Sequence, residues 1–203
     1  MANNKYLDDY DPEKEAVSIG YVDANNLYGL AMSQCLPTGD FEWLSDDAVK
    51  DFDPMGVAID GAFGYVLEVD LHYPVELHDL HNGFPLAPEK MLVVDEMLSP
   101  YASELKQKFG LPSCKMPKLL TTLADKKNYV LHFRNLQLYL RLGLKLTKIH
   151  KILRFEQSPF MKSYIDFNTE KRKAAKNPFE VDLYKFYNNV STLLVRNINF
   201  FDF

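Results

Sequence analysis

The chain has 203 residues, of which 47% are hydrophobic and 25% are charged, and its formal net charge is −5. These values are typical of a globular chain with one sizeable core, and they exclude global disorder and an array of three ordinary domains. No apolar stretch approaches the length of a membrane span, and the first residues lack the apolar core of a secretory signal. We therefore expect an intracellular protein, nuclear or cytoplasmic, with no membrane partner and with Cys35 and Cys114 as reduced thiols.

Charge is divided unevenly along the chain. Residues 1–103 hold 4 basic and 20 acidic residues, whereas residues 104–203 hold 19 basic and 8 acidic ones, and the first arginine is Arg134. The strongly basic C-terminal half favours a partner that carries phosphates. The alternative is a solvated surface on which the charges happen to segregate.

The acidic half is predicted to consist of short elements separated by long polar connections. Its strands alternate apolar and polar residues, as a strand with one buried face does. In chain order the predictions are a polar entry segment (1–15), a strand (17–22) that ends at Asp23, a short helical period from Leu27 up to Pro37, an exposed acidic excursion (45–56), a second strand (64–71) and a connection marked by prolines (74–88).

The basic half is predicted to be largely helical. Its elements are a helix (131–142), a strand (144–155), a helix that begins at Ser158-Pro159 (158–175) and a helix that begins at Pro178 (178–189). Residues 144–155 alternate apolar and basic side chains, which favours a strand but also fits a basic amphipathic helix. The two last helices are joined by a tight turn, and the whole predicts an α/β fold of the α+β kind.

Asp23 is the first candidate site residue, because it ends a predicted strand just before a turn into a helix. A strand end holds a side chain rigidly, and magnesium prefers few, well-placed oxygen ligands, so the position suits a divalent metal ion. Backbone amides of the turn could meet phosphate oxygens. The alternative is that Asp23 only caps the helix that follows.

The predicted helical hairpin is the second candidate site, since its turn gathers basic side chains. They are Lys171, Arg172, Lys173, Lys176 and, further along, Lys185. Cations fixed on rigid helices can hold a triphosphate and neutralise charge on a leaving group. The alternative is that these lysines are only the solvated faces of amphipathic helices.

The hexapeptide Asp23-Ala24-Asn25-Asn26-Leu27-Tyr28 resembles the first palm motif of B-family DNA polymerases, D-x-x-S-L-Y-P. The branch it resembles is the protein-primed one of phages, adenoviruses, linear plasmids and Polinton or Maverick mobile elements. Further short sequence segments resemble the mobile-element subgroup, and they occupy residues 2–6, 31–34, 36–39, 85–89, 143–150, 168–172 and 179–185. The resemblance spans residues 2–189.

This resemblance implies an incomplete polymerase palm, a β-sheet with helices, followed by a helical-hairpin fingers element. The domains it implies are an entry segment (1–15), a partial palm with the first catalytic motif (16–130), a connecting helix and basic strand (131–158), a fingers hairpin (159–191) and a divergent tail (192–203).

The resemblance also implies roles for single residues. Asp23 matches the catalytic aspartate that binds both Mg²⁺ ions, and Tyr28 matches the tyrosine that packs under the incoming sugar. Lys185 and Asn189 match the start of the fingers motif K-x-x-x-N-S-x-Y-G, whose lysine contacts the triphosphate. Arg172, or its neighbour Lys173, matches a second phosphate-contacting cation. The implied partners are a DNA primer-template, a dNTP and a terminal priming protein.

The chain also departs from the family pattern. Asn26 stands where the motif has serine, Gly29 stands where it has proline, and no S-x-Y-G or Asp-Thr-Asp follows Asn189. Only 22 residues precede Asp23, so we expect no exonuclease domain in these 203 residues. A single carboxylate cannot build a two-metal clamp. The sequence therefore predicts a DNA polymerase fragment that binds nucleotide or DNA but is catalytically incomplete, and the alternatives are a non-catalytic nucleic-acid-binding module or a non-functional mobile-element remnant.

Overall fold

A computed structural model of the chain describes residues 3, 5–15, 20–22 and 26–197, with side chains up to residue 190. The fold is mixed α/β and divides into two compact units. One unit is Cys35–Ser158, and the other joins Met1–Gln34 to Pro159–Phe203. None of the described helices is long and apolar enough to cross a membrane.

The helices and strands are short in the first two thirds of the chain and longer after it. In chain order they are α1 (Leu27–Met32), β1 (Leu36–Trp43), α2 (Asp46–Lys50), β2 (Phe63–His72), α3 (His78–His81), β3 (Glu89–Met91), α4 (Pro100–Phe109), β4 (Lys118–Leu120), β5 (Lys126–His132), α5 (Phe133–Arg141), β6 (Lys145–Ser158), α6 (Lys162–Ala174) and α7 (Pro178–Asn197).

The unit Cys35–Ser158 is built on a four-stranded antiparallel sheet in the order β1-β6-β2-β5, with β3 and β4 as a separate antiparallel pair. Its core lies on one face of the sheet. Strand β2 alternates, so that Leu67, Val69 and Leu71 are buried there, and helix α5 adds Phe133 and Leu136. Burying one such side chain stabilises the fold by about 1.5–3 kcal/mol. The predicted strand 64–71 and the predicted helix before Gly143 are thus confirmed as β2 and α5.

Strand β6 confirms the strand prediction for residues 144–155 and explains why its pattern was ambiguous. Its core-facing residues Leu146, Ile149 and Ile152 are three apart, a spacing that a regular strand cannot place on one face. Their partners on β2 are only two apart, at Leu71, Val69 and Leu67, because the register shifts twice between them. Two bulges therefore keep all three apolar side chains on the core.

The helical unit contains the predicted hairpin, α6 and α7, together with α1. Helix α6 begins at Lys162 rather than at Ser158-Pro159, so the predicted N-cap is wrong. The reason is that Ser158 ends β6 and pairs with Leu36 of β1. Helix α7 runs to Asn197, beyond the predicted end at Asn189.

Other predictions differ from the structure in the acidic half. Residues 20–22 lie outside any strand, with Tyr21 90% and Val22 92% exposed, so no neighbouring strand covers them. Residues 17–19 and Asp23 lie outside the described residues. The excursion 45–56 is not wholly exposed, because it contains α2, whose Val49 packs on the core.

The compact units do not follow the predicted domain boundaries. Residues 16–130 and 131–158 were expected to be separate, yet β5 and β6 both pair with β2, so 35–158 is one unit. Residues 1–34, expected to divide between an entry segment and the palm, belong with the hairpin instead.

Candidate nucleotide-binding hairpin

The turn between α6 and α7 is fixed by hydrogen bonds of its own residues. The Asn177 side chain accepts the Glu180 backbone N–H at 3.0 Å, and the Glu180 carboxylate accepts the Lys176 N–H at 3.0 Å. Pro178 occupies the first turn of α7, where its missing N–H costs nothing. The turn is therefore a reciprocal cap, and it fixes the backbone of Lys176 at the tip of the hairpin.

The two helices pack through a stripe that is partly polar. On α6 this stripe holds Ile165 and Asn168, which are 3% and 2% exposed, and on α7 it holds Asn188. Asn188 Nδ2 donates to Thr169 Oγ1 at 3.5 Å, whereas Asn188 Oδ1 and Asn168 Nδ2 have no hydrogen-bond partner among the described residues. Arg172 lies one turn beyond Asn168 on the same stripe, and it is half-buried.

The predicted phosphate-binding cations are not equivalent. Lys173 is exposed but already bound, since its Nζ donates to Glu170 Oε1 at 2.7 Å, and this hydrogen bond raises the pKa of Lys173. Lys171 lies over the Phe167 ring at 5.5 Å. In the part of the chain that the structure describes, neither Lys176 nor Lys185 forms an ion pair.

Lys185 and Asn189 share one face of α7. They are four residues apart, one turn of the helix, and both are exposed. Asn188, next in sequence to Asn189, points the other way, into the interface with α6. The spacing predicted from the fingers motif therefore leaves both matched side chains open to a ligand.

Helix α1 brings Leu27 and Tyr28, the last two residues of the first motif, to the hairpin. It contacts both α6 and α7, with Gly29 and Met32 buried, while Tyr28 is 65% exposed. Tyr28 thus lies in the same compact unit as Arg172 and Lys185, although Cys35–Ser158 separates them in sequence. Asp23, the predicted metal ligand, lies outside the described residues.

Comparison of the chain with protein families, with curated proteins and with solved structures gives no match. The resemblance to a polymerase family therefore rests on the sequence motifs.

A buried polar group in the other unit was missed by the sequence analysis. Asp70 Oδ1 accepts the Asn128 backbone N–H and lies 2.9 Å from His150 Nε2, and Lys127 Nζ lies 3.6 Å from Oδ2. The Asn128 N–H, followed by the hydrogen bond to His150, lowers the pKa of Asp70 to about 2. These partners are 58 and 80 residues from Asp70, so no local pattern could indicate them.

A second pair of the same kind lies beside it. His72 Nδ1 is 2.9 Å from Asp125 Oδ1, which also accepts the Tyr73 N–H at 2.8 Å and so has a lowered pKa. Each carboxylate holds one imidazole ring and one backbone amide. Among the described residues, no group of three or more His, Cys, Asp or Glu side chains could hold a metal ion.

Proposed function

We propose that the chain is a fragment of a protein-primed B-family DNA polymerase whose helical unit binds a nucleoside triphosphate. The observation that supports this most directly is the contact of α1, which carries Leu27 and Tyr28 of the first motif, with the hairpin α6–α7. A residue matched to the sugar and residues matched to the triphosphate then belong to one compact body. Because these residues are far apart in sequence, their association depends on the folding of two distant segments of the chain into one unit.

In this proposal each residue matched to the family has a chemical role. Lys185 and Asn189 meet the phosphate oxygens, one with a charge and one with an amide. Arg172 adds a second cation from the interhelical stripe, and Tyr28 packs under the sugar. Cations held on rigid helices bind a triphosphate because their position is fixed before the ligand arrives.

Asp23, which lies outside the described residues, is the one carboxylate of these 203 residues that the resemblance matches to a metal ligand, and a two-metal centre needs more than one. We therefore propose that these 203 residues bind nucleotide, and a DNA primer-template weakly, without supporting robust synthesis. A priming protein is the partner that the resemblance adds to this proposal.

A dNTP titration tests the proposal. A labelled dNTP is titrated into the full chain with and without Mg²⁺, and binding should weaken in Lys185→Ala. Lys162→Ala is the matched control, because Lys162 is on the same hairpin but pairs with Asp166. Equal affinities for the two variants, or no binding by the parent chain, would reject the triphosphate site.

A second candidate is a non-catalytic nucleic-acid-binding module, favoured by the unpaired Lys176 and Lys185 among the described residues. It predicts salt-sensitive DNA binding that survives Asp23→Ala. The polymerase proposal instead predicts a Mg²⁺-dependent part of dNTP binding that Asp23→Ala abolishes. Robust primer extension that depends on Asp23 would show that the chain is a complete catalyst, and absence of any ligand-induced stabilisation would favour a non-functional remnant.

A further inference from the structure

Three lysines form a row on the face of the sheet opposite the core. Lys145, Lys148 and Lys151 of β6 are each exposed. The same bulges that keep the apolar residues of β6 on the core place these lysines opposite residues 72, 70 and 68 of β2. Alternate residues of a strand lie about 6.6 Å apart, so the row is evenly spaced.

This row carries positive charge that the described residues do not neutralise. None of the three lysines forms an ion pair, whereas Lys50 and Lys106 of the same unit each pair with an aspartate. Acids that face the row include Asp70 and Glu68, and Asp125 lies beside it, held by His72, which is opposite Lys145. Asp70 is already held by His150, the Asn128 amide and Lys127, and Glu68 is half-buried and without an ion pair in the described part.

An aromatic side chain extends the row. Trp43 of β1 lies opposite Leu153, which follows Lys151 on the same face of β6. Trp43 is the chain's one tryptophan, and it is 63% exposed. Evenly spaced cations that lead to an open aromatic ring are the arrangement with which proteins bind single-stranded nucleic acid, since phosphates meet the cations and a base stacks on the ring.

We propose that this face binds single-stranded polynucleotide, with Lys145, Lys148 and Lys151 on successive phosphates and Trp43 stacked on a base. The proposal does not depend on the triphosphate site, because its residues all belong to Cys35–Ser158.

A competing explanation is that the lysines protect the edge of the sheet. Strand β1 pairs only with residues 153–158 of β6, so the lysine-bearing part is an edge, and lysines and bulges at an edge discourage pairing between molecules.

Fluorescence of Trp43 tests the proposal in the full chain. Titration with single-stranded oligo(dT) should quench the emission. The variant Lys145→Gln/Lys148→Gln/Lys151→Gln should bind about tenfold more weakly, with a salt dependence smaller by about 2 in log–log slope, since each phosphate contact on a single strand contributes about 0.7. The matched control is Lys108→Gln/Lys115→Gln/Lys118→Gln, which removes the same charge from exposed positions of the same unit.

The outcomes separate the explanations. Equal losses in the two triple variants, or binding without quenching of Trp43, would overturn the proposal. So would a row variant whose only change is self-association in size-exclusion chromatography, because that result indicates edge protection. The row variant should keep its dNTP affinity and Lys185→Ala should keep its oligo(dT) quenching, so failure of one site is distinguishable from failure of the other.

Discussion

The side chain of Asn26 fills the space in which a Cβ atom at Gly29 would lie. Its Oδ1 and Cγ atoms are 2.5 and 2.7 Å from that position, distances that real Cβ contacts do not show. Asn26 has a left-handed backbone with φ of 59°, and its side chain makes no capping hydrogen bond to α1. These are the two positions at which the first motif departs from the polymerase pattern, so the two departures are structurally coupled.

This coupling predicts a non-additive pair of substitutions. Gly29→Ala should lower the free energy of unfolding by about 1 kcal/mol, because the added methyl group displaces the flexible side chain of Asn26. Asn26→Gly should cost little, since glycine accepts a positive φ and no cap is lost. The double variant should recover most of the stability in urea unfolding. Additive losses in the cycle would show that the two side chains do not interact.

The buried lysine Lys126 ties the β3–β4 pair to the main sheet. It is fully buried on β5, and its Nζ meets Glu89 Oε2 at 2.9 Å and Thr122 through the hydroxyl at 2.8 Å and the carbonyl at 3.2 Å. Glu89→Ala should destabilise the chain by about 3–5 kcal/mol, because it leaves a buried charge without its partner. Denaturant unfolding measures the loss.

The control for this pair removes both charges. Lys126→Met with Glu89→Leu replaces the ion pair by apolar side chains and should be clearly more stable than Glu89→Ala. If the single and double variants unfold at the same denaturant concentration, the loss in Glu89→Ala does not come from leaving the Lys126 charge buried without its partner.

How much of the fold could be predicted depended on whether its causes were local. Strand β2 was predictable because alternate residues are buried on one face of a regular strand. Strand β6 was ambiguous because two bulges give its core residues a spacing of three. Strand β1 was missed because Pro37 and Gly39 are typical of turns, yet here they lie in an irregular edge strand.

The sites followed the same rule. The shared face of Lys185 and Asn189 follows from helical spacing alone. The burial of Lys126 and the partners of Asp70 depend on strand pairing between distant segments, which no sequence window contains. The association of residues 1–34 with the hairpin likewise depends on tertiary structure. In the sequence, only the order of the motifs that resemble the polymerase family indicated it.

The half-buried His132 should make stability depend on pH in a defined window. Desolvation by burial, with Arg134 adding to it, lowers the pKa of His132 to about 4, and the ring contacts Phe133 and Phe155. Above about pH 6.5 the residue is neutral in both states. Between about pH 6.5 and pH 4, His132 is protonated in the unfolded chain but stays neutral in the folded chain. The free energy of unfolding therefore falls as the pH falls, by on the order of 2–3 kcal/mol in total.

The variant that checks this is His132→Asn. The His132 ring caps α5 by accepting the Arg134 N–H at 3.3 Å, and asparagine can cap the helix in the same way without titrating. Unfolding curves from pH 7 to 4 should be flatter for the variant, and parallel curves would contradict the prediction. The lowered pKa of Asp70 acts in a separate window, since its contribution is lost only as the pH falls from about 4 through about 2.

The adjacent residues Asn188 and Asn189 separate binding from folding in the hairpin. Asn189 is exposed beside Lys185, so Asn189→Ala should weaken dNTP binding about fivefold, the loss of one hydrogen bond, with stability changed by less than about 0.5 kcal/mol. Asn188 is buried, and its Oδ1 has no hydrogen-bond partner in the described part of the chain, so Asn188→Leu should leave dNTP binding unchanged and stability equal or higher. Thermal unfolding and a dNTP titration on both variants measure the two effects. If Asn188→Leu weakens dNTP binding and Asn189→Ala does not, the ligand meets the interior of the hairpin, and the exposed face of α7 is not the phosphate site.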